Sequence, residues 1–506
     1  MHCAASWPHT WQRIIRHRRP FPPGPKGLPI VGNLFDVPSK ASWIRYEEWK
    51  KRYGEIISLN IMGQVIVILQ SHRTARDLLD KRAGMYADRP YMPFFELAGW
   101  QWILPTARVG EAWRAGRRML DRRLRQVAAL EYRPMIAMKS LQFIVGLLDQ
   151  PDNLVSLIEH LQGAIIMDLT YGYEVRGRDD EFLDSARRFG RETQAVLMPG
   201  ALLVTDVPFL RHLPEWLPGM SFIQRARDGY ELGQTTIWGP WRFFQAAVQN
   251  GTAHTSMALR ESQEQEISFS SREESDLVEA LGSMYIAGVD TTVSSLRSFF
   301  LMLVLHPEVQ EKARAEILSV TGGTRLPDHS DRSDLPYTEA LCKELFRWKP
   351  VLPLGLPHST TEDDIYEGYF IPKGSIVLAN LWAILHDPSI YPDPKVFRPE
   401  RFLGAGGEFK EDPLLNVFFG FGKRLCPGRF IVDSTLFSVV SLVLSTLTVL
   451  KAKDVDGNDI LVKDENTGDM ISHPEPFKCS IVSRGPGAES LIIERLKSST
   501  KQSSAP

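Results

Sequence analysis

The ten residues Phe419-Gly420-Phe421-Gly422-Lys423-Arg424-Leu425-Cys426-Pro427-Gly428 lead toward a long uncharged run at 434–450. Glycines at 420, 422 and 428 permit turns and close backbone approach that a Cβ would obstruct. A cysteine on such a loop, ahead of a helix N-terminus and beside Lys423 and Arg424, has donors and positive potential that favour thiolate over thiol. Cys426 is therefore a candidate metal ligand, while a structural turn with an incidental cysteine fits the local chemistry equally well. The run that follows mixes Val and Leu with serines and threonines and reads as a buried core helix rather than a membrane span.

Composition narrows the remaining choices. The only cysteines among the 506 residues are Cys3, Cys342, Cys426 and Cys479, with no C-x-x-C pair, which argues against a disulfide framework or an all-cysteine zinc cage. Lys and Arg number 59 against 61 Asp and Glu, so no global field draws nucleic acid, and none is expected as a partner. At 43% hydrophobic and 24% charged residues the chain resembles a soluble globular protein rather than a disordered, collagen-like or polytopic membrane chain.

Along the chain, residues 1–19 form a short basic segment, too charged to span a bilayer. Residues 20–33 read as a proline-rich extended strap, and 34–506 as a single domain. Two β-rich runs at 56–59 and 65–69, with Gly63-Gln64 between them, signal a hairpin. From 111 to 322 the apolar spacing is mostly helical, including 153–169 and 277–305, with proline-rich breaks at 208–218. The polar stretch 250–275 reads as a surface connection, and turn glycines between short strand-like runs at 364–377 predict a small sheet. The expected architecture is mainly α with a minor β-sheet part, an α+β arrangement.

The spacing F-G-x-G-x-R-x-C-x-G of 419–428 resembles the haem-binding loop of the cytochrome P-450 superfamily of haem-thiolate monooxygenases. The resemblance implies that fold, with haem between a long central helix and the cysteine loop. It also implies that Cys426 is the axial iron ligand, that Phe419 packs against its side and that Arg424 pairs with a haem propionate. Such a thiolate pushes electron density onto the iron and favours O–O cleavage. Other segments agree in the superfamily's order. Glu344-Leu345-Phe346-Arg347 is an E-x-x-R pair, and Phe397-Arg398-Pro399-Glu400-Arg401-Phe402 resembles the family's F-x-P-E-R-F segment. Together they imply a buried, structural Glu344–Arg347–Arg401 network, since buried charges need partners. Trp113 and Arg117 share a helix face with Leu120 and Leu124, and the family's W-x-x-x-R pattern implies a propionate site there. The segment 355–364 resembles fungal members whose matching histidine, here His358, faces a propionate; Ser359 stands where many relatives carry a basic residue.

Ala287-Gly288-Val289-Asp290-Thr291-Thr292 matches the family's A-G-x-D-T-T pattern. Gly288 is expected to leave room at the haem face and let the helix distort. For Asp290 and Thr291 the implied task is proton delivery during oxygen activation, through a largely dry pocket. Arg114, Arg118, Arg122 and Arg125 recur at i, i+4, i+8, i+11 and face away from Arg117. In the family this helix borders the docking side of the flavoprotein reductase, so a basic patch suits an acidic partner; a merely solvated face fits as well. The aromatic-rich segment 91–103, residues 351–356 and Met470-Ile471 fall in regions that line the pocket in relatives and suit an apolar, ring-containing substrate.

The chain is thus expected to insert one oxygen atom from O2 into an apolar small molecule, a secondary metabolite or xenobiotic, like basidiomycete members. Haem b is the implied cofactor. NADPH supplies electrons through NADPH-cytochrome P-450 reductase, with cytochrome b5 as a candidate second donor. The alternatives are a same-fold enzyme that rearranges or dehydrates its substrate without O2, against which the intact Asp290-Thr291 pair speaks, and a thiolate-haem sensor. Resemblance places the protein on the cytosolic face of the endoplasmic reticulum membrane. No apolar anchor is evident in 1–19, which leaves a truncated gene model, peripheral association or a soluble form open. The apolar segment 195–204, with Trp216-Leu217-Pro218 beyond it, fits a dip into a bilayer or burial within the protein.

Overall fold

The computed structural model describes residues 19–177, 179–197, 208–264 and 272–503. The basic N-terminal segment before Arg19 and most of the apolar 195–204 segment lie outside the described residues. Apolar side chains at helical spacing build α1 (Ser42–Tyr53), α2 (Glu111–Leu124), α3 (Arg133–Asp149), α4 (Leu154–Tyr171), α5 (Glu181–Leu197) and α6 (Ser221–Gln249). They continue in α7 (Met257–Glu264), α8 (Arg272–Leu305), α9 (Pro307–Thr321), α10 (Pro336–Trp348), α11 (Arg429–Thr446) and α12 (Pro486–Ser503). Proline at the first turn starts α9 and α10, where a missing N–H costs nothing. Gly172 and Gly322, both left-handed, stop α4 and α9.

Helix α8 is the axis of the molecule, packed against α4, α2, α5 and α6. Gly288 sets its distance from α4: a Cβ there would lie 2.7 Å from Ile166 Cδ1. A Cβ there would press on α4, whose Gln162 also donates from Nε2 to the Gly288 carbonyl at 2.9 Å, while α8 stays helical through this point. Helices α8 and α11 are long and apolar enough to cross a membrane, but in each 72% of the apolar window is buried inside the protein, as in core helices. The uncharged run at 434–450 does not stay helical throughout. It leaves α11 after Thr446 and continues as a strand.

Strands β1 (Ile56–Ile61) and β2 (Gln64–Leu69) form the expected antiparallel hairpin. Its turn is Met62-Gly63, both at positive φ, one residue earlier than the sequence implied, because Gln64 already pairs with Ile61. The 364–377 region serves two sheets rather than one. Strand β3 (His358–Ser359) precedes β4 (Asp364–Tyr366) and β5 (Tyr369–Ile371), which pair only with each other. Strand β6 (Ile376–Ala379) lies parallel to β2, with β3 antiparallel on its other edge. Strands β7 (Leu447–Lys451) and β8 (Cys479–Ser483) make a separate pair. The proline strap is not extended throughout: the carbonyls of Pro20 and Pro23 accept from the N–H groups of Phe370 and Ser58, but from Leu28 the chain turns, with Leu28 bridging Gly32 and Ile30 at positive φ.

Two expectations need correction or sharpening. The stretch 250–275 is not all surface connection, since α7 buries Met257, Ala258 and Glu261. The E-x-x-R pair is fully buried. Arg347 donates to Glu344 from Nε at 2.6 Å and from Nη2 at 2.8 Å, and to the carbonyls of Leu385 and Pro394 from Nη1. Glu344 also accepts from Arg401 Nε at 3.2 Å and from the Arg398 N–H at 2.8 Å. The implied three-residue network is present, with the backbone amide of Arg398 as an added donor.

Candidate functional site

The cysteine loop is fastened to the chain on both sides. Gly422 sits at φ 48°, and a Cβ there would meet the Leu79 carbonyl oxygen at 2.5 Å. Its N–H donates to Asp80 Oδ1 at 2.6 Å, which latches the loop onto a π-helical turn, Arg76–Lys81. Phe419 accepts the Cys426 N–H at its carbonyl, 2.8 Å, while its ring packs edge-on against Phe346. Cys426 thus stands just before α11, with Arg429 Nη1 donating to its carbonyl at 3.0 Å. Burial pushes its thiol up; the N–H of Gly428 and the charges of Arg117 and Arg429 pull the other way.

Trp113, Arg424 and His358 come together with a residue the sequence did not flag. The Arg424 guanidinium lies over the Trp113 ring, 4.2 Å from its centroid, and donates to the carbonyls of Ala87, Leu104 and Ala107. Its pKa falls to about 10, first through burial; Asp88 opposes this and Arg117 adds to it. The unflagged neighbour is Arg89, buried, donating to the carbonyls of Pro105, Leu356 and Pro357. Burial and Arg424 hold the Arg89 guanidinium well below its ordinary range. His358 is buried, with Nδ1 2.8 Å from the Tyr86 carbonyl, and burial together with Arg89 and Arg424 keeps its ring well below the usual imidazole range. A carbonyl accepts only, so Nδ1 carries the hydrogen and Nε2 is the open nitrogen of the neutral ring. Arg117 pairs with Asp121 at 2.8 Å. An Asp-Arg-Pro segment was the available signal for Arg89, but one arginine beside a proline does not announce a buried cation.

On α8, Thr291 Oγ1 donates to the Ala287 carbonyl at 3.0 Å, and neither residue is fully buried. Asp290 does not touch Thr291. Its carboxylate accepts from Gln194 Nε2 of α5 at 2.9 Å and pairs with His473 Nε2 at 3.3 Å. Burial raises its pKa, but His473, Gln194 and Arg297 outweigh that and hold it below the usual carboxylate value. Neither Gln194 nor His473 is adjacent in sequence to anything that marks it.

The basic stripe of α2 is only partly as expected. Arg114, Arg118, Arg122 and Arg125 are all exposed, but Arg122 also bonds the fully buried Glu261 of α7 (Nε to Oε1, 3.2 Å), which Arg123 reaches at 2.5 Å. Arg122 is thus a tether between α2 and α7. The aromatic segment 91–103 divides its work. Trp100 is wholly buried, edge-on to Phe94, Phe95 and Phe189, and its Nε1 donates to the Gly229 carbonyl of α6. Tyr91, Phe95 and Trp102 line a cavity of about 430 Å³ that reaches Trp113 and Glu279 of α8. The two other regions meet at Ser472, beside Met470-Ile471, whose N–H donates to the Val351 carbonyl at 2.8 Å.

These residues fit the group that the sequence implies. Arg89 and Arg424 place two guanidinium groups side by side, with Arg117 near Arg424 on its own partner Asp121, where Asp88 is already committed to Arg108 and the Val109 N–H. Such a cluster calls for anionic substituents. Among the described residues no group of three His, Cys, Asp or Glu side chains is placed to hold a metal.

The family model for cytochrome P-450 matches residues 22–481. The chain is 39% identical over 480 residues to cytochrome P-450 monooxygenase 208 of Postia placenta, covering 94% of this chain and 92% of that protein. It is 38% identical to the cytochrome P-450 monooxygenase claR of Ampulloclitocybe clavipes, covering 95% and 89%. With the ple1 monooxygenase of Rhodocybe pseudopiperita it shares 37% over 99% of this chain and 96% of that one. The match spans the strap, the central helix and the cysteine loop alike, and the chain belongs to the cytochrome P-450 family of monooxygenases.

Proposed function

We propose that the protein inserts one oxygen atom into an apolar, ring-containing small molecule, a secondary metabolite or xenobiotic: R–H + O2 + NADPH + H+ gives R–OH + H2O + NADP+. The observation that carries this is Cys426 at the head of α11, in one site with the cationic cluster of Arg89, Arg117 and Arg424. In this reading Cys426 is the iron ligand of haem b, with Phe419 packed beside the loop. Trp113, Arg117, His358 and Arg424 receive the propionates. Haem supplies the activation of dioxygen, and thiolate ligation favours O–O cleavage. The absorption spectrum of the purified protein, reduced and exposed to carbon monoxide, tests the reading. A strongly red-shifted Soret band is expected; an imidazole-type band in folded protein overturns it.

Asp290 and Thr291 handle protons in this scheme. Thr291, half-buried, gives its one hydroxyl hydrogen to the Ala287 carbonyl and keeps its lone pairs for a water that carries the proton. Thr291→Ala is expected to keep its haem yet release about five times more hydrogen peroxide per NADPH. Unchanged peroxide release removes Thr291 from the path.

Electrons arrive from NADPH through a flavoprotein reductase, with cytochrome b5 as a second donor, at the face that bears Arg114 and Arg118. Charge reversal of both is expected to slow NADPH-supported turnover about tenfold while a peroxide-driven reaction is kept, since rim charges act on encounter. Equal loss in both assays defeats docking at this face. Arg122 is left alone in this test because its partner is buried. The endoplasmic reticulum membrane is the proposed location, on its cytosolic face, with exposed Trp216 as one contact.

A further inference from the structure

Three consecutive residues of the C-terminal loop are held by one face of α8. His473 Nε2 lies 3.3 Å from Asp290 Oδ1, Ser294 Oγ donates to the Ser472 carbonyl at 2.6 Å, and Arg297 Nη2 donates to the Pro474 carbonyl at 2.8 Å. Positions 290, 294 and 297 share one helical face, and residues 472, 473 and 474 meet 294, 290 and 297 in turn, so the loop is pinned across this face. From the other side Gln194 of α5 donates to Asp290 Oδ2 at 2.9 Å. The Asp290 carboxylate therefore bridges two elements far apart in sequence. Thr291 lies about 100° around the helix from it.

The ring of His473 is committed to this contact. Its Nδ1 is buried without a hydrogen-bond partner, which leaves the carboxylate as the group that orients the ring. Loop placement does not depend on it. Ser472 is held in addition by the Val351 carbonyl and by Asn466 Nδ2 at 2.9 Å, and Pro474 by Arg297. The other charges near Asp290 are accounted for by Arg297, itself flanked by Glu159 and Glu475.

We propose that Gln194 and His473 are positioning residues for Asp290: they suspend its carboxylate between α5 and the C-terminal loop, so that proton delivery depends on both elements being in place. The inference rests on the proton-delivery role of Asp290 proposed above. An unanchored carboxylate samples several rotamers and spends less time in the donating one. Freed from both partners, Asp290 remains an acid but loses its aim.

The test is NADPH oxidation by the reductase-supported haem protein without added substrate, in H2O and in D2O, for Asp290→Asn, Gln194→Ala, His473→Ala and His473→Gln. Each alanine variant is expected to slow oxidation about tenfold and enlarge the solvent isotope effect, short of the ~10²-fold or more that loss of a general acid costs. His473→Gln, whose amide can donate across the same gap, is expected to recover most of the rate. As a readout apart from turnover, His473→Ala is expected to shift the thermal midpoint of the parent but not that of Asp290→Asn. Parental rates and isotope effects in both alanine variants, with Asp290→Asn slow, overturn the inference alone. A parental Asp290→Asn overturns the role of Asp290 itself, and His473→Gln as slow as His473→Ala overturns the hydrogen bond as the cause.

Discussion

Cys426→Ala is expected to lose the red-shifted band of the reduced, carbon monoxide-treated protein and to bring NADPH-supported oxygenation to background. No other thiol can substitute among the described residues. Cys342 is buried in α10 with its pKa pushed far up, and Cys479 on β8 is pushed up to about 11 by burial. Neither stands where Cys426 does, with the first amides of a helix and two guanidinium groups drawing toward the thiolate. The fold itself should survive, because the loop is fixed by the Gly422 N–H on the Asp80 carboxylate and the residue 426 N–H on the Phe419 carbonyl, both of which alanine retains. Far-ultraviolet circular dichroism of the variant should therefore match the parent. Parental absorbance and turnover in Cys426→Ala would refute the ligand assignment.

Arg347→Ala is the second large effect, and it acts on stability. The substitution leaves Glu344 at zero side-chain exposure with one guanidinium partner, Arg401 at 3.2 Å, and one amide. Stranding a buried charge costs about 3–5 kcal/mol, a large part of the ~5–15 kcal/mol that separates folded from unfolded protein. The carbonyls of Leu385 and Pro394 lose their donor at the same time. Little soluble, haem-loaded protein is expected, and whatever folds should unfold at markedly lower urea. Arg347→Lys keeps the charge but not the planar fork, and should fall between the two. An unchanged urea midpoint for Arg347→Ala would show that the network is dispensable.

Legibility in the sequence followed the range of the forces involved. The hairpin at β1 and β2, the helical spacing of α4 and α8 and the glycine loop before α11 are local patterns, and each was readable from its own residues. Pairing of Glu344 with Arg347 was readable because three residues make one turn of helix. Contacts across the fold were not. Nothing near Arg89 shows that its guanidinium lies beside Arg424, and nothing near Gln194 or His473 points to Asp290. The packing of Gly288 on α4 was hidden for the same reason: the absent side chain makes room for Ile166, on a helix more than a hundred residues earlier. The tether of the exposed Arg122 was hidden because Glu261, its buried partner, belongs to a stretch whose polar composition hides a helix.

The parallel pairing of β2 with β6 has a bearing on how the protein is made. Gln64 and Gly374, hydrogen-bonded at the ends of these strands, are 310 residues apart in the chain. At the usual pace of a ribosome, about 5–20 residues per second, that interval lasts roughly 15–60 s. Throughout it the N-terminal hairpin has emerged, while the apolar strand Gln64–Leu69 has an open edge and no neighbour on that side. The same strand that later anchors the sheet is thus, during synthesis, a sticky border awaiting a partner. Holding chaperones and slow translation near the middle of the chain would act at this stage, before any haem can be bound.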